Sequence, residues 1–254
     1  MTSLSGHHAI VTGGNSGIGA AIALELAQAG AAITIVGRDR EKLRSVGEQI
    51  NGACLAQADV TQPQDVEAAF AQARNAHGPA TILINNAGAA MSAGIASVTQ
   101  QQWRDAMAVN LDAVFTCSQT ALPDLLQADA GRIVTIASTA GHRGYRYTAP
   151  YVAAKHGAIG LTRALALELA NTNVTVNAVC PGFTDTNIVA DAVKNITAKT
   201  GRSEEEARKA LASHNPQKRL IMPQEVASAV LWLCLPASQS VTGQSIMVAG
   251  GEIM

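Results

Sequence analysis

A tyrosine and a lysine stand four positions apart in the stretch YVAAK, residues 151–155. On a helix that spacing puts both side chains on one face, so the Tyr151 phenol and the Lys155 ammonium become neighbours. A free phenol titrates near pH 10 and is almost wholly protonated at neutrality. Bringing it near pH 7 takes about 4 kcal/mol. A cation about 4 Å away supplies that order of energy at an effective dielectric near 20. A phenol tuned in this way suits acid–base chemistry. Taken alone, a tyrosine and a lysine at this spacing read as a surface pair. The rest of the chain separates the two readings, because Ser138 ends an apolar strand pattern thirteen positions before Tyr151. In open α/β sheets, ligand-contacting groups gather at the carboxyl ends of parallel strands.

A second stretch, TGGNSGIG over 12–19, joins an apolar strand pattern to a helical one. Gly13, Gly17 and Gly19 let the chain turn sharply and let a pyrophosphate approach the backbone. Asn15, Ser16 and Ile18 fill the loop between them, and the helix that follows offers free N–H groups and a partial positive charge. The spacing is GxxxGxG, not the usual GxGxxG, and a plain tight turn is the alternative. After the next strand an acid would bind the ribose hydroxyls of NAD. The sequence there reads VGRD: Gly37 takes the acid's place and Arg38 follows. An arginine can pair with a 2′-phosphate and stack on adenine. NADP(H) is therefore favoured. NAD(H) stays open, because a small loop shift would bring Asp39 to the ribose, and a merely solvated Arg38 is the bland reading.

Apolar runs at 8–14, 32–38, 54–60, 80–88, 131–138, 174–182 and 243–251 read as strands. Helical patterns separate them, including one around 99–127, one at 150–170 and one at 223–236. Continuous Val, Ile and Ala runs alternating with helices mean a parallel sheet covered on both faces. Right-handed crossovers make it doubly wound. The expectation is an α/β chain with a single-domain Rossmann fold over 1–254 and a parallel seven-stranded sheet. Residues 187–220 break the rhythm with a polar, charged insert that reads as one or two surface helices over the ligand crevice.

Together, TGGNSGIG, NNAG (85–88), Asn110, Ser138, YVAAK and PGFTDT (181–186) resemble the short-chain dehydrogenases/reductases, and ketoreductase-like members in particular. The likeness covers essentially the whole chain. It implies that Tyr151 is the general acid/base on a substrate oxygen, that Ser138 hydrogen-bonds that oxygen, and that Lys155 holds the nicotinamide ribose and lowers the tyrosine pKa. It implies that Asn110 anchors a water in a proton relay through Lys155. Asn86, Ala87 and Gly88 would line the cofactor cleft, with Asn86 and Gly88 near the adenosine ribose. Asp59 and Val60 would flank adenine. Pro181, Gly182, Thr184 and Thr186 would border the cofactor, Thr186 fixing the carboxamide. The reaction implied is exchange between a secondary alcohol and a ketone. A homotetramer assembled partly through the 150–170 helix is implied too, and Ala154, Gly157, Ala158 and Gly160 are small enough to admit a second helix there.

Composition narrows the function further. The 254 residues carry 18 basic and 19 acidic side chains, with 15% charged and 48% hydrophobic. That balance lacks the basic surplus a nucleic-acid binder needs. No apolar run approaches the roughly 18 residues of a membrane span. Cys54, Cys117, Cys180 and Cys234 lie far apart, without zinc spacing, and read as reduced buried thiols. The start, MTSLSGHHAIVTGG, has no signal-peptide pattern, so a cytoplasmic protein is expected. No metal is expected. His7 and His8 read as edge residues of the first strand. Met91, His142, Tyr145, Tyr147 and Phe183 are candidate pocket residues. In the insert, Lys194, Lys199, Arg202, Arg208 and Lys209 could meet the phosphates of a coenzyme A or carrier thioester of a 3-ketoacyl group. A solvated helix with Glu204, Glu205 and Glu206 explains them equally well. A non-catalytic protein that senses a nicotinamide dinucleotide is the alternative; it has no use for Ser138, Tyr151 and Lys155 together. A methyltransferase-like fold would explain the first glycine loop but not YVAAK.

Overall fold

A computed structural model describes residues 3–254. Short runs of β-branched and small apolar residues form seven strands. They are β1 (His8–Thr12), β2 (Ala32–Gly37), β3 (Cys54–Gln57), β4 (Ile82–Asn85), β5 (Gly131–Ile136), β6 (Val174–Pro181) and β7 (Ser245–Val248). Between them run α1 (Gly17–Gln28), α2 (Arg40–Gly47), α3 (Pro63–His77), α4 (Gln100–Met107), α5 (Ala113–Gln127) and α6 (Ala149–Glu168). The last three helices are α7 (Asn187–Thr200), α8 (Glu204–Ala212) and α9 (Pro223–Cys234). All pairings are parallel, in the order β3-β2-β1-β4-β5-β6-β7. This is the expected Rossmann fold. The strand order reverses between β1 and β4, and the crevice opens there, beyond the carboxyl ends.

Alternation along β4 shows why both faces must be covered. Ile82 and Ile84 pack with Leu26, Ile33 and Val230 beneath α1 and α9, while Leu83 packs with Phe70, Leu125 and Val176 beneath α3 and α5. Each such side chain, fully buried, stabilises the fold by about 1.5–3 kcal/mol.

The strands are shorter at their carboxyl ends than the apolar runs suggest; β3 stops at Gln57 and β4 at Asn85. The remaining apolar residues of those runs line the cleft rather than a ladder. The single helix expected over 99–127 is interrupted by a π-turn over Ala108–Asp112. At its centre Asn110 donates its side-chain amide to Ala106 O at 3.0 Å, competing with the backbone ladder. Such turns are frequent at functional sites.

Two further expectations change. His8 is an interior residue, not an edge one: Nδ1–H donates to Gly78 O and Nε2 accepts from Thr34 Oγ1, each at 2.9 Å. Burial lowers its pKa, which keeps the ring neutral. The small residues of α6 mostly serve the chain's own packing. Ala154 and Ala158 are fully buried, and a Cβ on Gly157 would come within 2.8 Å of Leu111. Of the four, only Gly160 faces open space. All four cysteines are free and buried.

The insert is built from α7 and α8, which share an apolar cluster of Val189, Val193, Ala207 and Leu211 apart from the sheet's cores. An Arg208–Asp185 ion pair of 2.7 Å and a bridge between Thr184 and Ile221 tie it to the chain after β6.

Candidate active site

The glycine loop is held against β4 by one threonine and one asparagine. Thr12 Oγ1 accepts from the backbone N–H groups of Asn86 and Ala87 at 3.0 and 3.1 Å. The Asn86 amide donates to Thr12 O and Gly13 O. This leaves no room for side chains on the loop. Gly13 sits at φ 63°, and a Cβ there would lie 2.9 Å from Ala87 Cα. A Cβ on Gly19 would lie 2.2 Å from Gly13 O. The Asn86 side chain thus braces the loop itself. On the far side, a Cβ on Gly17 would stand 3.2 Å from Thr186 Cγ2, so the loop faces the start of α7 across the cleft.

One cleft of about 1070 Å³ runs along the carboxyl edge of the sheet. It is lined by Gly13, Asn15, Ser16, Gly17, Ile18, Gly19, Arg38, Asp59, Val60, Asn86, Ala87 and Gly88. Asn110, Ser138, Tyr151, Lys155, Pro181, Gly182, Thr184 and Thr186 line it too. Every catalytic and cofactor-binding candidate marked in the sequence therefore lines this one cavity. A cradle that glycine alone can form, opening on a helix N-terminus, fits a pyrophosphate.

At the adenosine end Arg38 is exposed and lies 3.7 Å from Asp59. Asp39 also lines the cleft, and its Oδ1 caps α2, accepting from the N–H groups of Glu41 and Lys42 at 3.1 Å. Lys42, in the first turn of α2, also lines the cleft and was not marked in the sequence. We expect Arg38→Ala to weaken NADPH binding about tenfold while NADH affinity stays level, since a guanidinium discriminates by the 2′-phosphate. Equilibrium titration of both dinucleotides checks this, and equal losses would refute it.

At the inner end Ser138 lies just past β5, with extended backbone, and its Oγ accepts from Ala140 N at 3.0 Å. Tyr151 and Lys155 project from the first turns of α6, which Pro150 helps to start. The Lys155 ammonium lies 5.6 Å from the centre of the Tyr151 ring and donates to Ile136 O at 2.8 Å. Asn110 is fully buried; its amide also donates to Ala89 O at 2.9 Å. A Cβ on Gly88 would lie 2.8 Å from Asn110 Oδ1 and 3.6 Å from Lys155 Nζ, so Gly88 sits between the two.

Burial raises the Tyr151 pKa against the opposing pull of the Ser138 hydroxyl. The Lys155 ammonium is itself dehydrated, with its pKa lowered to about 8, and donates to Ile136 O. The protein alone therefore presents a protonated phenol.

Among the candidate pocket residues, Met91, Tyr145 and Phe183 line the cleft. His142 and Tyr147 do not. His142 Nε2 lies 3.6 Å from Cys180 Sγ. Tyr147 is exposed at φ 67°, its carbonyl accepting from Ala93 N at 2.8 Å. Ile188 and Asn195 of α7 also reach the cleft; the sequence marked their segment but not these positions.

A parallel sheet with a glycine-cradled phosphate site and a serine, tyrosine and lysine at one inner wall defines a dinucleotide-dependent oxidoreductase class. The short chain dehydrogenase family model matches residues 7–197, and the chain belongs to that family. A Streptomyces coelicolor protein described as a ketoacyl reductase is 38% identical over 249 residues, spanning 96% of this chain and 95% of its own. A D-beta-hydroxybutyrate dehydrogenase of Rhizobium meliloti is 35% identical over 250 residues, spanning 96% and 97%. A crystal structure of an actinorhodin polyketide ketoreductase variant with NADPH shares the fold at a TM-score of 0.93 and 37% identity, covering 97% of each chain.

Proposed function

We propose that this chain is an NADP(H)-dependent reductase that converts a ketone to a secondary alcohol, with Tyr151 as the proton donor. The observation that carries the reading is the convergence of Ser138, Tyr151, Lys155 and Asn110 on the inner end of a dinucleotide cleft. NADPH supplies the hydride when bound. The protein's part is to place the substrate oxygen and to deliver a proton to it. Tyr151, protonated at neutrality as an ordinary phenol is and with its pKa raised further by burial, donates to the carbonyl oxygen. Ser138 offers a second donor to that oxygen, where negative charge develops. Lys155 and Asn110, on either side of Gly88, carry the replacement proton from solvent toward the phenol.

The substrate we infer is a 3-ketoacyl compound. The support is chemical: one relative is described as a ketoacyl reductase and another as a β-hydroxybutyrate dehydrogenase, both names placing the oxygen on an acyl chain. The 187–220 segment, with α7 residues on the cleft, would cover it. The test is NADPH consumption, followed by absorbance, with a 3-ketoacyl thioester and its free ketone. No consumption with either overturns the reading, and no preference for the thioester overturns the substrate class.

The same reading includes a homotetramer in the cytoplasm. Leu167 is 81% exposed at the end of α6 and Phe115 is 49% exposed on α5, apolar surface that a neighbouring copy would cover. Four free buried cysteines suit a reducing compartment. Among the described residues, no helix is long and apolar enough to cross a membrane. Light scattering is expected to give four chains per particle; a monomer would contradict it.

A further inference from the structure

The end of the chain returns to the wall of the cleft. After β7 it turns at Gly250 and Gly251, both at positive φ, and the Glu252 N–H donates to Ala249 O at 3.2 Å. Glu252 Oε1 accepts from the Tyr145 hydroxyl. Oε2 is buried without a partner, where a Cβ on Gly182 would come within 2.9 Å. The Tyr145 oxygen also meets Thr139 Oγ1 at 2.7 Å, and Thr139 directly follows Ser138. The Tyr145 ring stands edge-on to Phe183 and His214, with centroids 5.9 Å away in each case. His214 comes from the exit of α8, and the neighbouring Asn215 abuts the Gly250 turn.

Tyr145 and Phe183 line the cleft, whereas Glu252 and His214 do not. Whatever Glu252 does for the substrate, it does through the tyrosine. An aromatic ring held at one point only would rotate about two torsions. A carboxylate acceptor and a hydroxyl partner together remove that freedom, and hydrogen bonds to a charged group are the stronger kind. Burial raises the Tyr145 pKa, with Glu252 adding to the rise, so the hydroxyl remains a donor.

We propose that Glu252 is a positioning residue for ketone binding: by capturing the Tyr145 hydroxyl it fixes the aromatic wall of the substrate chamber, and with it the docking of the 187–220 segment. This rests on the reductase reading above. One hydrogen-bonded chain then runs from the tail through Glu252 and Tyr145 to Thr139, the residue after Ser138.

The test uses the full-length protein and the variants Glu252→Ala, Tyr145→Phe and Glu252→Gln. The first two are expected to raise KM for the ketone about tenfold, with kcat within about threefold of the parent. The NADPH dissociation constant, read by fluorescence, stays level. Glu252→Gln keeps an acceptor for the hydroxyl and recovers most of the lost KM. A KM within about twofold of the parent for both variants overturns the proposal. So does a loss of NADPH affinity or melting temperature that Glu252→Gln fails to rescue, which marks Glu252 as a residue of the fold alone. Should Glu252→Ala not fold, Tyr145→Phe decides the matter. A parent that binds NADPH but reduces no ketone overturns the reductase reading itself, so the two failures are distinct.

Discussion

With Tyr151 replaced by Phe, turnover of a ketone falls about a thousandfold, the middle of the range for removing a general acid, while NADPH binds as before. The ring stays and only the hydroxyl goes, so the packing at the start of α6 is conserved. The phenol is the group that can give a proton: it is protonated at neutrality, and burial raises its pKa further. Ser138 cannot replace it: an ordinary hydroxyl donates a hydrogen bond but is too weak an acid to release the proton. The same state of the phenol sets a direction. Ketone reduction needs the acid form and falls as pH rises through the phenol's pKa; alcohol oxidation needs the phenolate and rises. Stopped-flow single turnovers separate the chemical step from binding. Retention of most of the parent rate would remove Tyr151 from the mechanism.

Lys155→Met is expected to separate stability from activity. The ammonium sits in the interior, 4% exposed, with Ile136 O at 2.8 Å as its protein hydrogen-bond partner. Burial lowers its pKa from 10.5 to about 8. In the unfolded chain it holds its proton up to the higher value. Between those two values the unfolded state binds more protons, so stability rises with pH across that window. Below about pH 8 the ammonium is charged in both states and the burial penalty is fully present, at about 3 kcal/mol. Met fills similar volume without that penalty. The orphaned Ile136 carbonyl takes back about 1 kcal/mol. The apo protein at pH 7 should therefore melt about 5 °C higher, and the gain should fade by about pH 10. Turnover with NADPH should fall about a hundredfold or more, since the proton relay proposed for Lys155 goes with the ammonium. Calorimetry at the two pH values, beside a steady-state assay, reads both effects. A lower melting temperature at pH 7 would show that the lysine holds the fold together.

The parts legible in the sequence were those set by local geometry. TGGNSGIG declared its turn because a side chain at Gly19 would collide with the loop itself. YVAAK declared its shared face through helical spacing alone. The capping role of Asp39 was also legible, as an N-cap residue directly before a charged helix. What stayed hidden depends on residues remote in the chain. The Tyr145–Glu252 contact spans 107 positions. The π-turn at Asn110 arises from a side-chain bond that no periodicity marks. The direction of the Tyr151 shift follows from how thoroughly that corner is dehydrated, a property of the assembled fold and not of the tyrosine–lysine spacing. The small residues of α6 suggested an intermolecular contact, yet Gly157 accommodates Leu111 of the same chain.

The miniature apolar nucleus of Val189, Val193, Ala207 and Leu211 is separate from the two cores that support the sheet. Changes far apart and without shared neighbours act almost independently on stability. Under the reductase reading proposed above, α7 and α8 can therefore be exchanged at little cost to the stability of the sheet, and chimeras replacing only that stretch are the natural route to altered substrate choice on the same scaffold.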